Sequence, residues 1–358
     1  MSKEISGVTN KEPLMHISKR DGIETWKSWL IRMIAVLLSL VVCAGVIVAL
    51  TGLNPIEVYK GIFDGAIGTK RRAWMTIRDT LVLLCIAVGI TPAFKMRFWN
   101  IGAEGQFVIG GLVACVLGIV LKLPAGLHAI VCLVAAAAAG CIWSLIVGVL
   151  KVKRGIHEVL SFIMFNWIAF YLSNYVVNLP GIHRESSEAT QDVAASARLL
   201  MPEGLRSSLD CSNAHWGIVL AVIAAVIIWV IIEKTTLGYK LKAVGFNSNG
   251  AEYGGIDANK SILTALGISG LLSGLGGAVQ VLGMAGRLSQ FAGQEGFGFE
   301  GITVALIGSS NPIGCIFSGL FYGAMKYGGS KLSIVKAPSE VVDIIICLLY
   351  TSDAADEL

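Results

Sequence analysis

Charge is scarce in this 358-residue chain. Its 28 Lys and Arg and 24 Asp and Glu make up 15% of the residues, against about 25% in an ordinary soluble domain. The net charge of +4 is too small and too scattered to serve as an electrostatic footprint for nucleic acid. The pattern G-x-x-x-x-G-K-[ST] is absent, and the dipeptide Gly-Lys never occurs, so the chain carries no phosphate-binding loop for ATP. No Cys/His cluster has metal-ligand spacing, and no G-x-S-x-G nucleophile site occurs. His157-Glu158 is not a zinc motif, because Ser161 stands where H-E-x-x-H needs its second histidine. The 8 cysteines make no disulfide framework. Cys43, Cys85, Cys115, Cys132, Cys141, Cys315 and Cys347 lie in apolar stretches, and Cys211 has no loop partner, so all read as small buried hydrophobes.

Apolar residues and glycine are abundant: 55% hydrophobic and 42 Gly. This excludes an ordinary soluble enzyme and a disordered chain, and the long apolar runs make it a polytopic membrane protein. The pattern predicts an all-α integral membrane protein with about ten transmembrane helices. Passes are expected at 32–51, 80–94, 103–121, 127–150, 157–178, 216–232, 261–283, 302–309, 313–327 and from about 339, the eighth too short to span alone. Residues 1–30 are polar and mixed in charge, with Trp26 and Trp29 just before the first run. They predict a cytosolic tail with an interfacial helix rather than a cleavable signal. The cluster Lys151, Lys153, Arg154 at a pass end supports a cytosolic N-terminus. Residues 180–215 read as an external loop.

Glu104 is flanked by Gly102 and Gly105 and opens an apolar helix. A carboxylate there costs about 2.5–3.5 kcal/mol on insertion scales, so it faces a cavity or a partner. Glu104-Gly105-x-x-Val108 and Glu300-Gly301-x-x-Val304 share a pattern, each closing a Gly-rich break. They fall in oppositely oriented halves, as a five-plus-five inverted repeat with broken helices would place them; three identities also arise by coincidence. Glu158, Phe162 and Asn166 share a helical face, as a route lining or as interhelical hydrogen bonds. Gly270-x-x-x-Gly274 reads as close helix packing. Within the polar loop 233–260, Asn247 or Ser248 is placed to cap a short helix through Ala251, Glu252 and Tyr253, ended by Gly254 or Gly255. That helix is either a docking element or a plain surface helix.

The run F-W-N-I-G-A-E-G-Q-F-V-I-G-G at 98–111 resembles the permease subunits of bacterial ABC importers for simple sugars and nucleosides. It is most similar to the nucleoside branch, whose binding protein is a basic-membrane-protein-type lipoprotein. K-R-G-I-H-E-V-L-S-F-I-M-F-N-W-I-A, G-Y-K-L-K-A-V-G-F-N-S-N-G-A-E-Y-G-G-I, G-F-G-F-E-G-I-T-V-A-L-I-G-S-S-N-P-I-G and A-P-S-E-V-V-D-I-I agree and stand in order. The resemblance implies a multi-pass protein of the bacterial inner membrane that is not itself an enzyme. ATP and Mg would sit on a separate ATPase, and a second related permease would complete a heterodimer. An external lipoprotein would deliver a nucleoside or simple sugar. It implies docking on the ATPase through Gly238, Ala243, Gly245, Asn247, Ala251, Glu252, Tyr253 and Gly255. Candidates for the substrate path are Asn100, Glu104, Gln106, Glu158, Asn166 and Glu300; for Asn100 and Glu104 the alternative is support of the broken helices. The competing reading is an ion-coupled secondary carrier using Glu104, Glu158 or Glu300, which needs no ATPase dock. A membrane-embedded enzyme using His157 and Glu158 lacks a nucleophile or metal set. The family domain is expected over 31–346. Residues 347–358 resemble the translation of a common transposase sequencing adapter, which predicts a non-native tail; a genuine short acidic tail is the alternative.

Overall fold

The computed structural model describes residues 25–332 and 342–347. Among them the chain is helical, and the only β pairing is three isolated bridges. In order come α1 (Thr25–Thr51), α2 (Pro55–Ile67), α3 (Lys70–Lys95), α4 (Ala103–Val120), α5 (Leu127–Arg154), α6 (Glu158–Val177) and α7 (Glu203–Ser208). Then follow α8 (Gly217–Lys234), α9 (Thr236–Phe246), α10 (Ser248–Tyr253), α11 (Ala258–Val279), α12 (Phe297–Ile307) and α13 (Pro312–Gly329). A further helical stretch occupies 342–347. Among the described residues six helices are long and apolar enough to cross a membrane: α3, α4, α5, α6, α8, and α11 with its extension to Ala285. The pair α12–α13, bent by 118° at its break, makes a seventh if it is one span. The pass expected from 339 and the tail at 347–358 lie largely outside the described residues.

Three boundaries differ from the sequence expectation for physical reasons. α1 begins at Thr25 and runs through residue 31 without a break, because neither Gly nor Pro interrupts its first turns. α3 extends ten residues before the expected pass, starting at Lys70 and capped by Thr69, whose hydroxyl accepts from the Arg72 N–H. Its first turns carry Lys70, Arg71, Arg72, Arg78 and Asp79, which a hydropathy reading passes over. α2 was not anticipated: Asn54 caps it by accepting from Ile56 N–H, and Pro55 sits in its first turn.

Small residues set the packing. A Cβ on Gly270 would lie 2.4 Å from the Gly140 carbonyl oxygen, and one on Gly274 2.5 Å from that of Ala136. The backbones of α11 and α5 therefore touch, as the Gly270-x-x-x-Gly274 pattern predicts. The loop between α6 and α8 closes one end of the bundle. There Ala194 N–H donates to Gly118 O, Val193 N–H to Gly286 O, and Leu199 N–H to Leu282 O. At the opposite end of α8, α9 lies against the end of α3, where a Cβ on Gly245 would sit 2.2 Å from Lys95 O, and α10 packs on α9.

Candidate functional site

The N-termini of α4 and α12 meet inside the bundle. α4 starts after the turn 96–102 and leads to the loop-covered end, where Gly118 meets Val193. α12, 11 residues or about 16 Å long, leads the other way, to Ser310 beside Lys95 and Gly245. Glu104 joins them. Its Oε1 accepts from Gly296 N–H at 2.8 Å and its Oε2 from Gly298 N–H at 2.6 Å. The side chain is 1% exposed. Both oxygens accept, the pattern of an ionised carboxylate, and they satisfy donors that the start of α12 leaves orphaned. Gly298 is required by contact, since a Cβ there would lie 2.2 Å from Glu104 N.

A second set of bonds fixes the turn before α4. Asn100 Oδ1 accepts from Gly102 N–H at 3.1 Å and from Gln106 Nε2 at 3.1 Å. Asn100 Nδ2 donates to Ser269 Oγ on α11 at 2.6 Å and to Gln106 Oε1 at 3.2 Å. Asn166 on α6 accepts from Gly105 N–H at 2.9 Å and donates to Ile101 O at 3.1 Å. Asn100, Gln106 and Asn166 are thus buried, with both ends of each amide hydrogen-bonded to protein. The Phe162 ring fills the space beside Gly102, where a Cβ would meet Cδ1 at 2.1 Å.

The other two residues named for the path stand apart from this bond network. Glu158 pairs with Lys151 at 2.7 Å, tying the start of α6 to the end of α5. Glu300, one turn into α12, pairs with Lys326 of α13, whose ammonium also lies over the Phe297 ring at 5.2 Å. Lys326 was missed because it sits late in an apolar run, where it reads as an interfacial residue. Glu295, Arg287 and Gln280 were also missed. Gln280 opens a π-helical turn, Gln280–Ala285, that continues α11, and this local widening has no period a sequence pattern reveals.

The expected short helix is α10. Asn247 Oδ1 accepts from Gly250 N–H at 3.0 Å, and Gly255 follows with φ +81°. Tyr253 is 98% exposed, whereas Ala251 is buried. Ala251, Leu241, Val244, Ala258, Met96, Phe98 and Phe162 form one apolar cluster. Gly238 packs on the end of α8, Ala243 lies against the same cluster, and Glu252 is exposed. One continuous packed path therefore links α10 to the turn that opens α4. In the opposite loop, His215 is buried and its Nδ1 accepts from Gly217 N–H at 3.1 Å. Burial, with Arg78 and Arg198 nearby, pushes its pKa down to about 4. At the start of α11, Lys260 N–H donates to Asp257 and holds that carboxyl below its usual range.

The described residues form a helical bundle with six or seven apolar spans, in which a buried carboxylate joins the starts of α4 and α12, as in a multi-pass membrane protein. Residues 73–350 match the family described as branched-chain amino acid transport system / permease component, and the chain belongs to that family. It is 35% identical to the guanosine ABC transporter permease protein NupP of Bacillus subtilis, over 89% of this chain and 91% of that one. It is 30% identical to the nucleoside ABC transporter permease protein NupB of Lactococcus lactis, over 88% of each. It is 27% identical to the glucose ABC transporter permease protein TsgB13 of Haloferax volcanii, over 95% of this chain and 91% of that one. No solved structure matches the chain significantly.

Proposed function

We propose that this permease is the membrane-spanning subunit of an ATP-driven importer that moves nucleosides or related simple sugars. An external lipoprotein delivers the substrate, a separate ATPase binds ATP and Mg, and a second, related permease completes the path. The N-terminus and α9–α10 face the cytosol of a bacterial inner membrane, and the loop between α6 and α8 faces outward. The full chain makes ten passes in two inverted halves of five, with α4 and α12 as the paired broken helices. Their opposite directions and shared junction at Glu104 support that arrangement.

The observation that carries the ATP-driven reading is the packing path from α10 to the α4 turn. α10 shows Tyr253 to solvent on one side and on the other joins, through Ala251, the cluster that holds Phe162 against Gly102. A push on α10 by an ATPase is thereby delivered to the break in α4. Asn100, Gln106 and Asn166 hold that break in shape. Glu104 acts as a joint between the halves rather than as a substrate ligand, since its oxygens are taken up by backbone donors. An ion-coupled carrier has no need of such a path. Deleting residues 249–253 abolishes ATP-dependent uptake under the proposal and leaves transport intact in a carrier.

A further inference from the structure

Beside the Glu104 joint, on the side of the outer loop, lies a cavity of about 90 Å³. Its walls include Phe107 of α4, Gln280 at the head of the π-helical turn, and Arg287, Ser289, Phe291 and Glu295 from the segment leading into α12. Three of these walls have fixed partners. Asn174 of α6 clamps the backbone of Phe291, accepting from its N–H at 2.9 Å and donating to its carbonyl at 2.9 Å. The Phe291 ring stacks on Phe170, with centroids 6.4 Å apart and planes at 28°. The Phe107 ring packs on Phe297 at 5.2 Å. Arg287 lies 3.7 Å from Asp192 of the outer loop. Gln280 is different: its Oε1 is buried with no hydrogen-bond partner among the described residues. An unmade bond at such an acceptor costs about 1–3 kcal/mol. A site that tolerates this at its wall gains when a donor arrives.

We propose that this cavity is the closed form of the site at which the permease recognises a nucleoside. The inference rests on the function proposed above and adds where and by what chemistry the substrate is held. The two phenylalanines offer aromatic faces to a planar base, and base–aromatic stacking is tolerant of base identity. The Gln280 amide, one acceptor and two donors, reads the base edge. The Glu295 carboxylate accepts from the ribose hydroxyls. Small-molecule sites span about 300–1,000 Å³, so the substrate fits only after the segment 286–296 draws away from α4. That segment runs straight into the Gly296–Gly298 contact with Glu104, so opening the site and moving the joint are one motion.

The test uses the whole transporter in proteoliposomes, with its ATPase, partner permease and binding protein. ATP-driven uptake of tritiated adenosine, guanosine, uridine, their 2′-deoxy forms and ribose is measured, each supplied as pre-loaded binding protein so that KM and preference report the permease and not the loading of the lipoprotein. Gln280→Met keeps side-chain length and removes the amide. It raises KM for the preferred nucleoside about tenfold, the equivalent of one hydrogen bond at 1.4 kcal/mol per decade. It leaves kcat within a few-fold and flattens the preference among bases. Glu295→Gln instead flattens the preference for ribose over 2′-deoxyribose. Co-purification of each variant with the ATPase controls for folding; should Gln280→Met fail to assemble, Phe291→Leu carries the same KM expectation. Unchanged KM and unchanged base preference in an assembled variant overturn the cavity assignment while leaving the proposed function standing. A wild-type transporter that takes up ribose but no nucleoside overturns both.

Discussion

Replacing Glu104 by Gln removes one charge and almost no volume, so it isolates the electrostatics of the joint. The wild-type carboxylate accepts two backbone N–H bonds, at 2.8 and 2.6 Å. The amide supplies one acceptor and turns its NH2 toward the second N–H, donor against donor. One charge-assisted bond, worth about 1.5–3 kcal/mol, is lost, and a buried N–H is left unpaired at about 1–3 kcal/mol. These terms describe one event seen from two sides, so the joint loses about 3 kcal/mol rather than their sum. At 1.4 kcal/mol per decade that shifts the joined arrangement by about 150-fold. Thermal unfolding of the detergent-purified transporter is expected to drop by about 6–12 °C, given 2–4 °C per kcal/mol for domains of about 150–250 residues. ATP-driven uptake is expected to fall at least tenfold, with Glu104→Asp intermediate because it keeps the charge on a shorter arm. Wild-type melting and wild-type uptake in Glu104→Gln would refute the account of the joint.

Three further outcomes follow from the same geometry. Gly298→Ala forces a methyl to within 2.2 Å of the α4 backbone; overpacking of this kind costs about 3 kcal/mol or more, and the variant is expected to assemble poorly, read as yield of intact complex. Asn247→Ala removes the α10 cap at about 1 kcal/mol, while Tyr253→Ala touches only an exposed side chain; both are expected to keep the fold and lower the uptake obtained per ATP hydrolysed. His215 accepts a hydrogen bond as the neutral ring, and its pKa of about 4 lies below the ordinary 6.5. The loop is therefore fully stabilised above about pH 6.5 and loses about 3 kcal/mol as pH falls to about 4. Hydrogen exchange across 178–216 should accelerate over that window, and the step should vanish in His215→Gln.

The parts of the molecule legible in the sequence are those fixed locally. α10 follows from Asn247 and Gly255 within nine residues of chain, because caps act on the nearest backbone donors and acceptors. The close approach of α11 to α5 follows from Gly270 and Gly274, because absent side chains leave one way for helices to touch. Glu104 was recognisable as a carboxylate that must have a partner. Its partners were not, since Gly296 and Gly298 lie 192 and 194 residues on and present only backbone N–H groups. The pairing of Glu300 with Lys326 was hidden for a related reason: Lys326 ends an apolar run 26 residues further on, where sequence alone cannot separate a membrane-interface lysine from one that pairs with a neighbouring helix. Gln280 owes its position to a π-helical turn that shifts the register of α11. The amides chosen for the substrate path, Asn100, Gln106 and Asn166, show how one residue type serves two ends. Polar side chains at a helix break are needed to satisfy its backbone whether or not a solute passes.

The central claim is that this permease moves its solute only as an ATPase works on α10. The direct measurement is nucleoside accumulation in proteoliposomes holding the complete transporter and its binding protein, made with an intact ATPase and with one that binds ATP but cannot hydrolyse it. The account predicts accumulation against a gradient with the first and none with the second. Equal accumulation by both, collapsing when the ion gradient is dissipated, would contradict it.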